Sequence, residues 1–314
     1  EIGKRGDFER KPTTFRSWVR RDSSAVEGQH FPPESGRYHL FVSLACPWAH
    51  RVLILRSLKG LHEAIGVTVV HHFLGPQGWA FVKEGDADVP VECKPDPILG
   101  ARYLSEIYYS VNAAYDGRYT VPVLYDRMTG TIVNNESKEL IVMLNSEFDE
   151  FATNSELDLY PEEQRDEIDK VAEGFYNSVN NGVYRCGFAT TQEAYDRAVE
   201  ELFPKLDELE ARLSMSPFLL GPNMTLADIR LFTTLYRFDA VYYTHFKCNI
   251  RRIAEYPALY RFLVRMYNYP GIQETCNMEH CKLHYFRSHT SINPKSIVPR
   301  GPDLSTYFNS QQDN

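Results

Sequence analysis

Apolar and polar positions along the chain change period several times, and each change predicts an element. Residues 1–36 are largely polar and hold "FPPESG", which predicts an extended arm. "RYHLFVS" (37–43) alternates and is rich in β-branched and aromatic residues, the mark of a strand. From Pro47 the period becomes helical: Val52, Leu53, Ile54, Leu55 and Leu58 make an apolar stripe that Gly60 ends. "VTVVHHF" (67–73) predicts a second strand, and a helix between two strands implies a parallel crossover. Residues 75–100 carry Gly-Pro punctuation and "DADVPVECKPDP" without periodicity, so they read as a long insertion. "ARYLSEIYYSV" (101–111) predicts a helix. "TVPVLYD" and "GTIVNN" flank "RMTG" as a hairpin, and "ESKELIVMLN" follows as a helix with Leu140, Ile141 and Leu144 on one face.

That order, β-α-β-α-β-β-α, is that of a thioredoxin-like α/β domain. Beyond residue 150 nearly everything is helical. Tyr195, Val199, Leu202, Leu206, Leu209 and Leu213 give one apolar face, with Thr190-x-x-Glu193 as its capping box and Pro204 expected to bend it. Thr225-x-x-Asp228 caps "IRLFTTLYRFDAVYY", and the Pro-rich "NPKSIVPRGPDLSTYFNS" is expected to wrap the surface. The predicted organisation is an arm (1–36), an α/β thioredoxin-like domain (37–148), an all-α domain (149–290) and a tail (291–314).

Composition narrows the function. A 314-residue chain with 43% apolar and 24% charged residues is that of a soluble globular protein with room for two cores. A net charge of −8 argues against nucleic acid as a partner, and no apolar run reaches the roughly 18 residues a membrane span needs. The six cysteines (46, 93, 186, 248, 276, 281) form no C-x-x-C pair and are expected as free thiols in a reducing compartment, the cytoplasm. "EIGKRGDFERK" is no signal sequence, although an organellar targeting peptide trimmed upstream of Glu1 stays open. The histidines at 71, 72, 280, 284 and 289 lack ligand spacing, H-x3-H at 280 and 284 having no third ligand, so no metal is expected.

One stretch carries more chemistry than the rest. In "SLACPWAHR" Cys46 stands where strand passes to helix, and Pro47 suits the first helical position. A thiol there faces unpaired N–H groups and the positive helix end, which favours thiolate below the ordinary value of about 8.5. His50 and Arg51 in the first turn can add to this. The plainer alternative is a buried cysteine acting as a small hydrophobe. Position 49 is alanine, so no resolving thiol lies one turn on, and a mixed disulfide on Cys46 would need a small thiol from solution. That points to glutathione. Pro122 in "TVPVL", if cis, would turn Val121's carbonyl and N–H toward an extended peptide ligand; alternatively it is an edge proline. Glu136 and Ser137 open a helix, so the hydroxyl and backbone N–H groups can receive a carboxylate and Glu136 an ammonium; alternatively Asn135 and Glu136 merely cap the helix. Trp79 in "GPQGWAF" reads as an exposed loop aromatic that covers a ligand or anchors packing. Tyr184 and Tyr285 are two of twenty tyrosines, and no local pattern selects them.

The whole resembles the glutathione transferase superfamily, and more narrowly its Xi class, the glutathionyl-hydroquinone reductases. "GRYHLFVSLACPWAHR", "GWAF", "TVPVLYD", "TIVNNESKELIVMLN", "NNGVYRCGFATTQEAYDRAV", "HYFRSH" and "NPKSIVPRGP" carry the likeness over nearly the whole chain. The resemblance implies Cys46 as nucleophile. Trp79, Val121, Glu136 and Ser137 would hold glutathione, with Pro122 cis, and Tyr184 and Tyr285 would hydrogen-bond the hydroquinone oxygen. It implies glutathione as co-substrate, glutathionyl-quinols as substrates and a homodimer. An arginine that some members use for glutathione is unassigned, since Arg102 and Ser105 both compete for its place. Rival functions are a conjugating or general cysteine-type transferase, a deglutathionylase, and a non-catalytic carrier.

Overall fold

Strand β1 (Tyr38–Val42) is buried at every position and has a strand on each side. It pairs in parallel with β2 (Ile65–Val69) and antiparallel with β5 (Val123–Asp126). With β6 (Thr131–Asn134) they form a four-stranded sheet ordered β2-β1-β5-β6. The β1–β2 crossover is helix α1 (Pro47–Leu58), as the sequence predicts. This is a computed structural model, and it describes residues 3, 5–22, 30–86 and 89–308. The rest of the expected arm (1, 2, 4 and 23–29), of the insertion (87–88) and of the tail (309–314) lies outside the described residues.

The chain forms two units, one of Thr13–Asp158 with Thr275–His284 and one of Glu1–Pro12, Leu159–Glu274 and Tyr285–Asn314. In the first, the sheet unit, β2 spans Ile65–Val69 where the sequence places 67–73. Its register explains the shift: Val69 faces Val42, the last residue of β1, and beyond them no partner strand continues among the described residues. The insertion is less featureless than its sequence. It begins in a short hairpin, β3 (Leu74–Gly75) and β4 (Gly78–Trp79), and Asp96 then ties a turn by accepting from the N–H groups of Ile98, Leu99 and Ala101. Such local bonds leave no period to read. Helix α2 (Leu104–Val111) starts three residues late because Glu106 accepts from the N–H groups of Arg102 and Tyr103, capping it there. The β5–β6 hairpin and helix α3 (Ser137–Ser146) follow as predicted, α3 packing against α1. Residues 15–17 of the arm run along the outer edge of β6, with Ser17 N–H donating to Val133 (3.0 Å) and Asn135 N–H to Phe15 (3.1 Å). They cover an edge that would otherwise expose unpaired backbone.

The helical unit contains α4 (Arg165–Phe175), α5 (Gly182–Gly187), α6 (Gln192–Ser214), α7 (Leu226–Arg237), α8 (Tyr243–His245) and α9 (Pro257–Tyr267). Of α10 (Met278–Ser288), the residues from Tyr285 belong to it, as does the short α11 (Leu304–Tyr307). Helix α7 is buried at all twelve positions and forms the unit's axis. Its capping box forms as predicted, Asp228 accepting from both N–H and hydroxyl of Thr225. The cap of α6 is Thr191, not Thr190: Thr191's hydroxyl oxygen accepts from Ala194 N–H, while Thr190 N–H is taken by Gly6 of the arm. Pro204 lies within an unbroken α6. Two wider π turns, Tyr176–Asn180 and Phe238–Tyr242, interrupt runs that the sequence reads as plain helix. The tail does not simply wrap the surface. Phe308 is buried, its ring 3.9 Å from that of Tyr267, and Tyr307 donates to Asp239 (2.7 Å).

Candidate active site: a thiol at a helix start and a cluster of phenols

In the sheet unit Cys46 is the N-cap of α1, with extended backbone and Pro47 at the first helical position. Its side chain makes no capping bond. The residue is half-buried, and its thiol donates to the carbonyl of Val121 at 3.4 Å, next to the cis Val121–Pro122 bond. His50 is committed elsewhere: its Nε2 lies 2.9 Å from the Thr275 hydroxyl and 3.7 Å from the Cys276 sulfur. Arg51 is buried with its guanidinium 5.9 Å from the ring of Trp48.

Glu136 is the N-cap of α3, one carboxylate oxygen accepting from Lys138 N–H (3.1 Å) and the other from the Thr13 hydroxyl (3.0 Å). Glu136 does cap the helix, and Thr13 is a second partner that no local pattern selects. Ser137, the first residue of the helix, is 2% exposed, and its hydroxyl has no hydrogen-bond partner among the described residues. A buried hydroxyl at a helix N-terminus left unsatisfied is a place for an anion to bind. Asn135, read from the sequence only as a cap, and Tyr108, which sequence reasoning missed, hold this corner together. Asn135 donates to the Tyr108 hydroxyl (3.1 Å), which donates to the carbonyl of Thr120 (2.7 Å), so one chain of bonds ties the start of α3 to the backbone before Val121. Burial pushes the Tyr108 phenol up to about 12, which keeps it a donor.

Trp79 is not the exposed loop aromatic expected. It is 7% exposed, lies in β4 and stacks on His284 with ring centroids 4.8 Å apart. His284 in turn donates from Nδ1 to the carbonyl of His72. A cavity of about 500 Å³ beside this hairpin, lined by His71, Phe73, Gln77, Arg102 and Tyr103 among others, holds Arg102, one of the two residues competing for the unassigned arginine's place, but none of the assigned site residues.

In the helical unit Tyr184 of α5 and Tyr285 of α10 come together, their hydroxyls hydrogen-bonded to each other. The sequence could not show a third member, Tyr242, which lies 3.2 Å from the Tyr285 hydroxyl and is fully buried. Both π turns serve this cluster, one carrying Tyr242 and the other leading into α5, in keeping with the use of such turns to re-aim side chains. Burial holds the phenols of Tyr242 and Tyr285 well above their ordinary range, against the lowering influence of Arg237. His245 and His289 pack on the same rings, 3.1 Å apart through Nε2 and Nδ1, and burial holds them down to about 3 and about 4, so both are neutral.

Among the described residues one group has donors close enough for a metal: Glu92, Cys93 and His280, within 4.8 Å of one another. Each already has a protein partner. Glu92 pairs with His280 Nδ1 at 2.8 Å and the Cys93 thiol donates to the Val70 carbonyl at 3.3 Å. Burial pushes Cys93 up to about 12, so the sulfur is a thiol and not a ready ligand.

The chain matches the family model of the glutathione S-transferase N-terminal domain over residues 45–147 and of the C-terminal domain over 192–265. It is 48% identical over 297 residues to the glutathionyl-hydroquinone reductase PcpF of Sphingobium chlorophenolicum, a match that covers 95% of this chain and 90% of that one. Among solved structures it is similar to the Xi glutathione S-transferase of Phanerochaete chrysosporium, with a TM-score of 0.91, 50% identity and coverage of 96% and 95%. It is also similar to the glutathione-bound YqjG of Escherichia coli K-12, with a TM-score of 0.87, 46% identity and coverage of 92% of each chain.

Proposed function

The chain belongs to the Xi-class glutathione transferases, and we propose that it works as a glutathionyl-hydroquinone reductase with glutathione as co-substrate. The observation that carries the mechanism is Cys46, an N-cap residue whose sulfur does no capping. The start of α1 favours its thiolate, as in other cysteines at helix N-termini. The thiolate attacks the sulfur of a glutathione joined to the keto tautomer of a hydroquinone. A sulfur–sulfur bond forms, the carbon–sulfur bond breaks, and the electron pair moves through the ring to the carbonyl oxygen, which takes a proton to give the hydroquinone. Cys46 is left disulfide-linked to glutathione. A second glutathione thiolate attacks the glutathione sulfur, releasing oxidised glutathione and the thiolate of Cys46. One conjugate and one glutathione thus give one hydroquinone and one oxidised glutathione.

The oxygen that gains charge needs a donor ready before the bond breaks. Tyr184 and Tyr285 are assigned that role. Their hydroxyls are hydrogen-bonded to each other, and that of Tyr285 lies 3.2 Å from the Tyr242 hydroxyl, so the phenols stand together as one cluster. For glutathione itself, Ser137 and the start of α3 would take the γ-glutamyl carboxylate and Glu136 its ammonium. The backbone of Val121, before Pro122, would pair with the cysteinyl residue, and Trp79 would back the tripeptide. An ordinary conjugating transferase is disfavoured because it needs a hydroxyl where Cys46 stands.

Assembly as a homodimer and residence in the cytoplasm complete the proposal. None of the six cysteines is in a disulfide, which suits a reducing compartment, and among the described residues no helix is long and apolar enough to cross a membrane. The decisive experiment is turnover of glutathionyl-menadiol by the wild type and by Cys46→Ser, with mass spectrometry when the second glutathione is withheld. The wild type should turn over and carry one glutathione on Cys46, and the variant should lose about 10⁴-fold or more in rate, as loss of a nucleophile does. An adduct on a different cysteine, or an active Cys46→Ser, would show the mechanism to be wrong.

A further inference from the structure

We propose that Arg10 is a positioning residue for the hydroquinone-oxygen site, acting through Tyr184; the inference rests on the role assigned to that tyrosine. The first described residues are not a loose arm but a strap fixed to the helical unit. The carbonyls of Gly6 and Arg5 accept from Thr190 N–H (3.0 Å) and the Thr191 hydroxyl (3.0 Å). Asp7 takes two hydrogen bonds from Arg197, at 2.9 and 3.0 Å. Gly6 has φ +82°, and a Cβ there would lie 2.8 Å from the Thr190 hydroxyl, so the strap can pass this point only as glycine. Phe8 then lays its ring 5.4 Å from Phe188 and 6.3 Å from Tyr184.

These fastenings deliver one cation. The guanidinium carbon of Arg10 lies 5.0 Å from the ring centroid of Tyr184 and 5.3 Å from that of Phe8, and Nε donates to Asn181 Oδ1 at 2.9 Å. The neighbouring arginines have other tasks, Arg185 with Glu201 and Arg197 with Asp7. A cation on the face of a phenol draws electron density from the ring. It makes the hydroxyl a stronger donor at the moment the substrate oxygen gains charge. Asn181 lies just before α5, so the same hydrogen bond also sets the direction from which Tyr184 points.

The two contributions separate by substitution. Arg10→Gln keeps a donor for Asn181 and removes the charge, whereas Arg10→Lys keeps the charge. In the glutathionyl-menadiol assay Arg10→Gln should lower kcat about tenfold, the scale of a partly desolvated cation–π contact. Its KM should change by no more than about twofold, since Arg10 is assigned to no ground-state contact with substrate. Arg10→Lys should recover most of the loss. Reduction of the Cys46–glutathione disulfide, which needs no phenol, should be unchanged in both. Arg10→Gln added to Tyr184→Phe should cost nothing further. Equal losses in the Gln and Lys variants, or a full loss carried over into the double variant, would overturn the proposal, because Arg10 would then be only a clamp for the strap or would act apart from Tyr184. Tyr184→Phe alone separates the two readings. If it is fully active, the tyrosine assignment and this inference both fall; if it is impaired while Arg10→Gln is not, only this inference falls.

Discussion

The two units carry their candidate chemistry in different ways. In the sheet unit the groups stand where regular structure begins: Cys46 at the start of α1, Glu136 and Ser137 at the start of α3, Val121 just before β5. Backbone geometry supplies their position, and short bonds such as Asn135–Tyr108–Thr120 hold the ends in register. In the helical unit Tyr184, Tyr242 and Tyr285 come from three separate segments and meet only because those segments pack. A site built on helix ends should lose function when a side chain is changed but keep its fold. A site built on packing should feel changes in residues that touch no substrate.

The largest effect expected inside this contrast is at the phenols. Tyr285→Phe should slow release of the hydroquinone by about 10²-fold to 10³-fold, the usual cost of one donor to a developing oxyanion. Tyr184→Phe should behave alike. Single-turnover kinetics would separate this step from reduction of the Cys46 disulfide, which should proceed at the wild-type rate. If both steps slow together, the phenols support the fold rather than the chemistry.

Ser137→Ala tests the other unit. Loss of a hydrogen bond to a charged group should raise KM for glutathione about tenfold. The substitution also removes a buried hydroxyl that has no protein partner, so the melting temperature should hold steady or rise. A fall in melting temperature with unchanged KM would reverse the assignment.

The contrast also explains what the sequence could convey. Cys-Pro after an alternating run and Glu-Ser before a helical one are local patterns, so Cys46, Glu136 and Ser137 were legible as candidates from a few neighbours each. The parallel crossover and the β5–β6 hairpin were legible for the same reason. Tyr184 and Tyr285 entered through family resemblance alone, because among twenty tyrosines no spacing separates those that meet across 101 residues of chain. Tyr242 and Arg10 were missed altogether. The first depends on a π turn inside an ordinary helical pattern, the second on a strap whose only sequence sign is a glycine in a polar stretch. Trp79 misled because a two-residue hairpin leaves no period by which to judge burial.

A packing-built site has its own weak point at Gly187. A Cβ there would lie 2.0 Å from the ring of Phe246, which itself packs 5.3 Å from Tyr184. Gly187→Ala should cost about 1–3 kcal/mol, the range for overpacking a core, and lower kcat by displacing the phenols. Gly36→Ala in the sheet unit makes a useful control. Its φ of +75° strains any side chain, yet a Cβ there meets nothing within 4 Å, so stability should fall by about 1 kcal/mol with activity intact.

The smallest effect is a slope with pH. His245 and His289 are held near 3 and near 4 by burial, below the value of about 6.5 that they have in an unfolded chain. Below pH 6.5 the unfolded chain therefore takes up protons that the folded unit refuses. Stability present at pH 7 is lost as pH falls toward 4, by at most about 1.4 kcal/mol per pH unit for each group. Asp228 opposes this. Burial pushes it up to about 6, so the folded state takes up a proton that an unfolded carboxylate releases between about 4 and 6, and this residue alone favours folding as pH falls. His39, held down to about 4 by burial, adds to the loss, Asp239, pushed up by burial, opposes it with Asp228, and the balance is a net loss on acidification. His289→Asn should flatten the fall in urea midpoint between pH 6.5 and 4.5, and Asp228→Asn should steepen it. A His289→Asn slope identical to the wild type would mean that this ring is not held neutral among the phenols.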